Sequence, residues 1–321
     1  MPNKSIESLS FEELEQELRE FLLSVAGEED FAHALQKLQA RPSTPGSGPV
    51  ASVPAPSELA APRAPRAPTG YHEDINRARN VVAKLLPSKP PSIPGLDIAL
   101  HNRSCHEVGG DYYDFINLPG GRMAMIIADV SGKGYSAAIV MAMLRQIFHL
   151  IVPRTASAHD TLVECNRHLV ADIPRGTFVT LLYAVIDPGR REMTLVNAGH
   201  CPPIVARTRL TGARVLELRG PALGMLETNR FADEIREKTL AIEPGDCLCF
   251  YTDGVSEAKN LLGEEFGSVR LARVVHSAMS QPARSVADSI LAALASFTEG
   301  TAQHDDLSLI IVRALASRVI R

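Results

Sequence analysis

FVTLLYAVIDPGRREMTLVNAG, residues 178–199, is the stretch on which the fold turns. Two apolar runs, 178–186 and 192–197, flank Asp187-Pro188-Gly189. Proline and glycine in tandem interrupt a strand and reverse the chain, so the stretch reads as two strands joined by a turn. The same punctuation recurs downstream. Thr211-Gly212 separates runs at 203–207 and 214–218, and Glu243-Pro244-Gly245-Asp246 separates runs at 239–242 and 247–252. Further runs at 122–128 and 307–313 complete a series of strands. An apolar helix is predicted over 135–151, an amphipathic one over 158–172 and a third over 285–297. Hairpins in succession, without strict strand–helix alternation, predict an α+β fold with antiparallel sheets covered by helices.

Upstream of residue 95 the chain changes character twice. Residues 1–40 carry two short helical patterns. Ser10 and Glu13 fit a capping box, and Leu14, Leu18, Phe21, Leu22 and Val25 then share one stripe. Phe31, Ala34, Leu35 and Leu38 make a second stripe, and the segment is too small to bury a core alone. Residues 41–70 hold eight prolines among Ala, Ser, Gly and Arg, the composition of a flexible tether. Residues 71–94 read as a lead-in helix and connector. Ile75, Ala78, Val82 and Leu85 make a narrow seam suited to pairing with a second copy of the chain, and Leu86-Pro87 ends the helix. Residues 95–315 are then the main domain.

Composition excludes several classes. Apolar residues make up 45% of the 321, charged residues 22%, and the net charge is −4. That is ordinary globular composition, without the basic surplus of a nucleic-acid binder. No run of about 18 apolar residues predicts a membrane span. The acidic, polar start lacks the order of a secretion signal. Five scattered cysteines with no zinc-finger spacing read as reduced thiols of a cytoplasmic protein.

Four stretches put an aspartate at the end or edge of an apolar run, with glycine or a second aspartate close by in the chain. They are Val108-Gly109-Gly110-Asp111, Ala128-Asp129-Val130-Ser131-Gly132-Lys133-Gly134, Thr252-Asp253-Gly254 and His304-Asp305-Asp306. Any one of them alone is ordinary turn chemistry. Four together, with no matching set of buried-looking Lys or Arg, point to hard divalent cations. Oxygen-only donors favour Mg²⁺ or Mn²⁺ over zinc. The 131–134 segment does not fit a phosphate loop, because Gly134 stands where that motif needs Ser or Thr. A glycine-rich turn presenting amides to an anion and a plain strand-to-helix turn both fit it.

Taken in order, VGGDYYDF (108–115), ADVSGKG (128–134), NAGHCPP (197–203), GPALGM (220–225), YTDGVSEAKN (251–260) and HDDLSLIIV (304–312) resemble the metal-dependent (PPM-type) serine/threonine phosphatases. The bacterial branch typified by the stage II sporulation protein E phosphatase domain is the nearest in pattern, over about residues 72–313. The resemblance implies a four-layer αββα sandwich with two Mn²⁺ or Mg²⁺ ions between the sheets. It implies that Asp129 bridges both ions, that the Val130 carbonyl binds the second, and that Asp253 and Asp305 bind the first. Asp111 would hold the site directly or through water. Gly110 and Gly254 would allow close backbone approach, and Asp306 would stand behind the ligands. Ser131 occupies a position where some eukaryotic relatives carry a histidine proposed as general acid, so metal-bound water is the simplest proton donor. Lys133, His200 and His304 are supporting or substrate-side candidates. The implied reaction is hydrolysis of phosphoserine or phosphothreonine on a regulatory protein such as an anti-sigma-factor antagonist. A phosphoesterase acting on another substrate and a non-catalytic scaffold of the same fold are the rival readings.

Overall fold

The computed structural model describes residues 71–316 except 107 and 156. The expected N-terminal helices and the proline-rich tether lie outside the described residues. Chain order is α1 (Tyr71–Leu85), β1 (Leu96–Arg103), β2 (Tyr112–Leu118), β3 (Arg122–Val130), α2 (Tyr135–Ile151), α3 (Ala158–Asp172), β4 (Val179–Asp187) and β5 (Glu192–Ala198). It continues with β6 (Ile204–Ala206), β7 (Ala213–Val215), α4 (Thr228–Glu234), β8 (Glu237–Ala241), β9 (Cys247–Tyr251), α5 (Asp253–Ser256), α6 (Gly267–Ala278), α7 (Ala283–Phe297) and β10 (Leu307–Ala314).

Two five-stranded antiparallel sheets result. One runs β1-β10-β9-β6-β7 and the other β2-β3-β4-β5-β8. Strand β3 shows why its sequence is apolar throughout. Ala124, Ile126 and Ala128 face the core shared with α2 and α3. Met125 and Ile127, one residue out of step, face the core between the sheets. Successive side chains leave opposite faces of a strand, so burial on both faces removes the polar alternation. Strands β9 and β10 obey the same rule. Cys247, Cys249, Tyr251, Leu309 and Ile311 face α6 and α7. Leu248, Phe250, Ile310 and Val312 face the other sheet. Three cores between four layers make the αββα sandwich. Each fully buried Ile or Leu contributes about 1.5–3 kcal/mol through removal from water.

Helix α2 is held on its sheet by Phe148, whose ring stacks on Tyr183 at 5.9 Å. Ser157 caps α3 by accepting from the Asp160 amide at 3.0 Å. Helix α1 stops one residue before the expected Leu86. Its Val82 and Leu85 pack against the α2–α3 core, so half of the narrow seam is engaged within the same chain.

Several expectations shift. The runs at 203–207, 214–218 and 239–242 form strands over Ile204–Ala206, Ala213–Val215 and Glu237–Ala241. Leu216 and Leu218 are apolar because they pack against the inter-sheet core, not because they pair in a ladder. Helix α7 starts at Ala283, two residues before the expected start. Helix α6 was not among the predicted elements. Its Leu271, Val275 and Ala278 make a buried helical stripe, obscured in sequence by valines and arginines around it.

Candidate metal centre

One end of the sandwich gathers the acidic residues of both sheets. In one sheet Ala128 pairs with Tyr112, so Asp129 and Asp111 follow side by side at the strand ends. In the other, β9 runs out at Tyr251 and β10 begins at Leu307. The Thr252 amide donates to the Ser308 carbonyl at 3.2 Å, which keeps Asp253 beside Asp305 and Asp306. A Cβ at Gly254 would overlap the Asp306 carbonyl oxygen, so only glycine lets these two segments meet.

Asp111 joins the sheets. Its carboxylate accepts from Thr252 Oγ1 at 2.9 Å and from Ser308 Oγ at 2.6 Å, both on the opposite sheet. Asp306 ties in the loop before β2, accepting from the Cys105 amide at 2.7 Å and the Gly110 amide at 2.8 Å. Gly110 also has a packing reason: a Cβ there would stand 3.1 Å from the Val130 carbonyl oxygen.

The electrostatics follow from that crowding. Burial pushes the Asp129 carboxyl up to about 8, and Asp253, Asp305 and Asp306 add to the rise. Burial, then Asp305 and Glu257, push Asp253 up to about 6. Asp111 is raised well above the usual carboxylate range by burial and then by Asp129. Like charges facing each other in a desolvated place disfavour ionisation, and a cation would reverse that. Among the described residues no three His, Cys, Asp or Glu side chains are drawn into a finished cage. The fit to hard cations rests on the donor set: only oxygen, mostly carboxylate, presented from both sheets at one end.

The other predicted residues divide. Ser131 is occupied in holding its loop, since its hydroxyl accepts from the Phe178 amide and its amide donates to the Phe178 carbonyl, each at 2.9 Å. With Gly134 capping α2 at φ 74°, residues 131–134 are a tight strand-to-helix turn. Lys133 pairs with Asp305 at 2.9 Å and donates to the His304 carbonyl at 2.6 Å. The His304 side chain is exposed. His200 is buried, and burial lowers its pKa to about 4. Its Nδ1 meets Thr180 Oγ1 at 2.9 Å, and its backbone is fixed by Asn197 through bonds of 2.7 and 2.9 Å. A neutral, enclosed imidazole of this kind packs the loop. Gly199 lies against Ala222, and a Cβ at Gly220 would overlap the Asn197 carbonyl. The NAGHCPP and GPALGM segments are therefore one interlocked support.

Sequence reasoning missed Thr252 and Ser308 as donors to Asp111. Both sit inside the quoted motifs, yet their partner lies 141 and 197 residues away. It also missed Gln303, which donates from its side chain to the Asp305 carbonyl at 2.7 Å and to that of Arg103 at 3.0 Å.

Comparison with known proteins bears on the family and the fold. The family model described as stage II sporulation protein E (SpoIIE) matches residues 119–315. The phosphoserine phosphatase RsbU of Bacillus subtilis is 26% identical over 243 residues, covering 75% of this chain and 70% of that protein. Protein IcfG of Synechocystis is 26% identical over 266 residues, covering 74% of this chain, which spans 41% of that longer protein. Among solved structures, the RsbU and RsbW domains of Rv1364c from Mycobacterium tuberculosis superpose with a TM-score of 0.63 at 26% identity, covering 73% of this chain and 64% of that one. The SiaA PP2C domain of Pseudomonas aeruginosa gives 0.65 at 19% identity, covering 75% and 96%, a likeness of fold.

Proposed function

The chain belongs to the stage II sporulation protein E family of PPM-type serine/threonine phosphatases, and from that premise we propose that it hydrolyses phosphoserine or phosphothreonine esters on a protein with the help of two Mn²⁺ or Mg²⁺ ions. The observation that carries the reading is the convergence of Asp111, Asp129, Asp253 and Asp305 from two sheets onto one end of the sandwich, with three of these carboxyls pushed upward in pKa.

In this reading Asp129, the Val130 carbonyl, Asp253 and Asp305 would hold the ions, with Asp129 central to both. When bound, such a pair supplies a water of lowered pKa and positive charge for the phosphoryl oxygens. The chain's own residues set the frame. Thr252 and Ser308 orient Asp111, and Asp306 fixes the loop that carries Gly110. Ser131 is committed to Phe178, which supports a role in shaping the turn over one in moving protons. Among the described residues no cysteine sits in an arginine cradle, which favours direct attack by water over a phosphoenzyme.

The substrate class extends from the relatives: a phosphorylated regulatory protein such as an anti-sigma-factor antagonist, in the cytoplasm. Among the described residues no helix is long and apolar enough to cross a membrane. Since Val82 and Leu85 are engaged by the domain's own core, pairing of two copies through α1 would rest on the segment before Val82.

The test is release of phosphate from a phosphoserine peptide with and without Mn²⁺, comparing the natural protein with Asp129→Asn. Metal-stimulated turnover confined to the natural protein supports the reading. Equal turnover of both proteins, or turnover of nucleotides in preference to phosphopeptides, contradicts it. Pure protein silent on every phosphopeptide with Mn²⁺ would favour the scaffold.

A further inference from the structure

The turn after β3 is fastened at both ends by its backbone and in the middle by one side chain. Ser131 is held to Phe178 by two hydrogen bonds of 2.9 Å. The Gly134 carbonyl accepts from Ala138 in the first turn of α2 at 3.1 Å. Between these points stand Gly132 and Lys133. Gly132 and Gly134 have φ of 97° and 74°, and a Cβ on either would touch nothing within 4 Å. The Lys133 side chain, 47% exposed, crosses from one sheet to the other and places its ammonium 2.9 Å from Asp305 Oδ2. The same ammonium donates to the His304 carbonyl at 2.6 Å. The other Asp305 oxygen accepts from the Asp306 amide at 2.9 Å.

We propose that Lys133 is the protein's own competitor for Asp305, an ammonium that a divalent cation must displace, so that Lys133 sets the metal concentration at which the centre fills. The proposal rests on the metal reading of the acid cluster and goes beyond it, because it assigns a residue that opposes ion binding. An ammonium and a metal ion held on one carboxylate oxygen repel each other, so each weakens the other's hold on Asp305. The swing that frees Asp305 needs only Gly132 and Lys133 to move, and there is open space around Gly132. A half-exposed ion pair is weak alone, and the added bond to the His304 carbonyl strengthens it. A lysine that merely braced the loop would act in the opposite sense, since its loss would loosen Asp305 and weaken the ion.

The experiment is calorimetric titration of Mn²⁺ into the metal-free full-length protein as it stands and as K133M, K133Q, K133R and D129N. Thermal unfolding without metal checks that each is folded. The weaker-binding ion is expected to bind about tenfold tighter in K133M and K133Q, while K133R stays within about threefold of the natural protein. Affinity in K133M and K133Q that equals or falls below that of the natural protein overturns the proposal and leaves the metal reading intact. No Mn²⁺ uptake by any of the five overturns the metal reading, and the proposal with it.

Discussion

Asp111 and Asp114 lie three residues apart, both buried, and live in opposite surroundings. Asp114 faces the helices. It accepts from Tyr112 Oη at 3.0 Å and the Phe115 amide at 2.7 Å, meets His149 Nε2 at 2.8 Å, and has Arg145 at 3.7 Å. Asp111 faces the other sheet, takes hydroxyl donors only, and has Asp129 and Asp306 as electrostatic neighbours. An odd spacing along a strand sends side chains to opposite faces, so one short motif supplies both environments. The lesson is that burial alone does not mark a functional acid. What neutralises the charge does: Asp114 has the Arg145 guanidinium of the chain near it, whereas the Asp111–Asp129 group is left for an ion from outside.

The contrast can be broken most forcefully at its two poles. Asp129→Asn should lower Mn²⁺-dependent turnover of a phosphoserine peptide by about a hundred- to a thousandfold, in line with loss of a main electrostatic contact. The metal-free variant should unfold at a temperature no lower than the natural protein, because a repelling carboxylate has gone. Asp114→Ala should do the reverse to stability. It leaves Tyr112 without its acceptor and takes the carboxylate from beside Arg145 and His149, with an expected loss of about 1–3 kcal/mol in denaturant unfolding. A stable Asp114→Ala alongside an unstable Asp129→Asn would invert the comparison.

The pH dependence sharpens it. Asp129 and Asp253 have folded pKa values near 8 and 6, above their unfolded value of 3.8. The folded state then holds more protons than the unfolded state between pH 4 and 8, so metal-free stability should fall as pH rises through that window. Saturating Mn²⁺ should flatten the fall. His200 works the other way. Its folded pKa of about 4 lies below the ordinary 6.5, so its contribution is present above pH 6.5 and lost as pH drops towards 4. Thermal unfolding across pH 4–9, with and without Mn²⁺ and in His200→Asn, separates the two slopes. The smallest effect is expected at Ser131. Ser131→Ala removes one acceptor from the Phe178 amide and should change turnover less than about tenfold, at a stability cost of about 1 kcal/mol. A larger loss of turnover with unchanged KM would give the hydroxyl a chemical role.

How far the sequence carried depends on where each signal sits. Strands β4 and β5 were legible because Asp187-Pro188-Gly189 marks their turn and both runs are apolar. Strands β1 and β2 were not singled out as runs. Their sequences, LDIALHNR and YYDFINL, mix polar side chains into the strand: His101 and Asn102 are half-buried, and Asp114 is satisfied by a helix added later in the chain. Helix α6 escaped because valine and arginine dilute its stripe. At the site, the acids beside glycines announced themselves. The part played by Thr252 and Ser308 did not, because it exists only once the two sheets face each other. The pairing of Lys133 with Asp305 was hidden for the same reason, being a contact across the sandwich.

Crystals of the active protein grown with Mn²⁺ and measured at the manganese absorption edge test the central claim most directly. Two anomalous peaks are expected between the sheets, both contacted by Asp129, with Asp253 and Asp305 on one of them. A map with no peak at that end, or with its peaks held by other residues, would contradict the account.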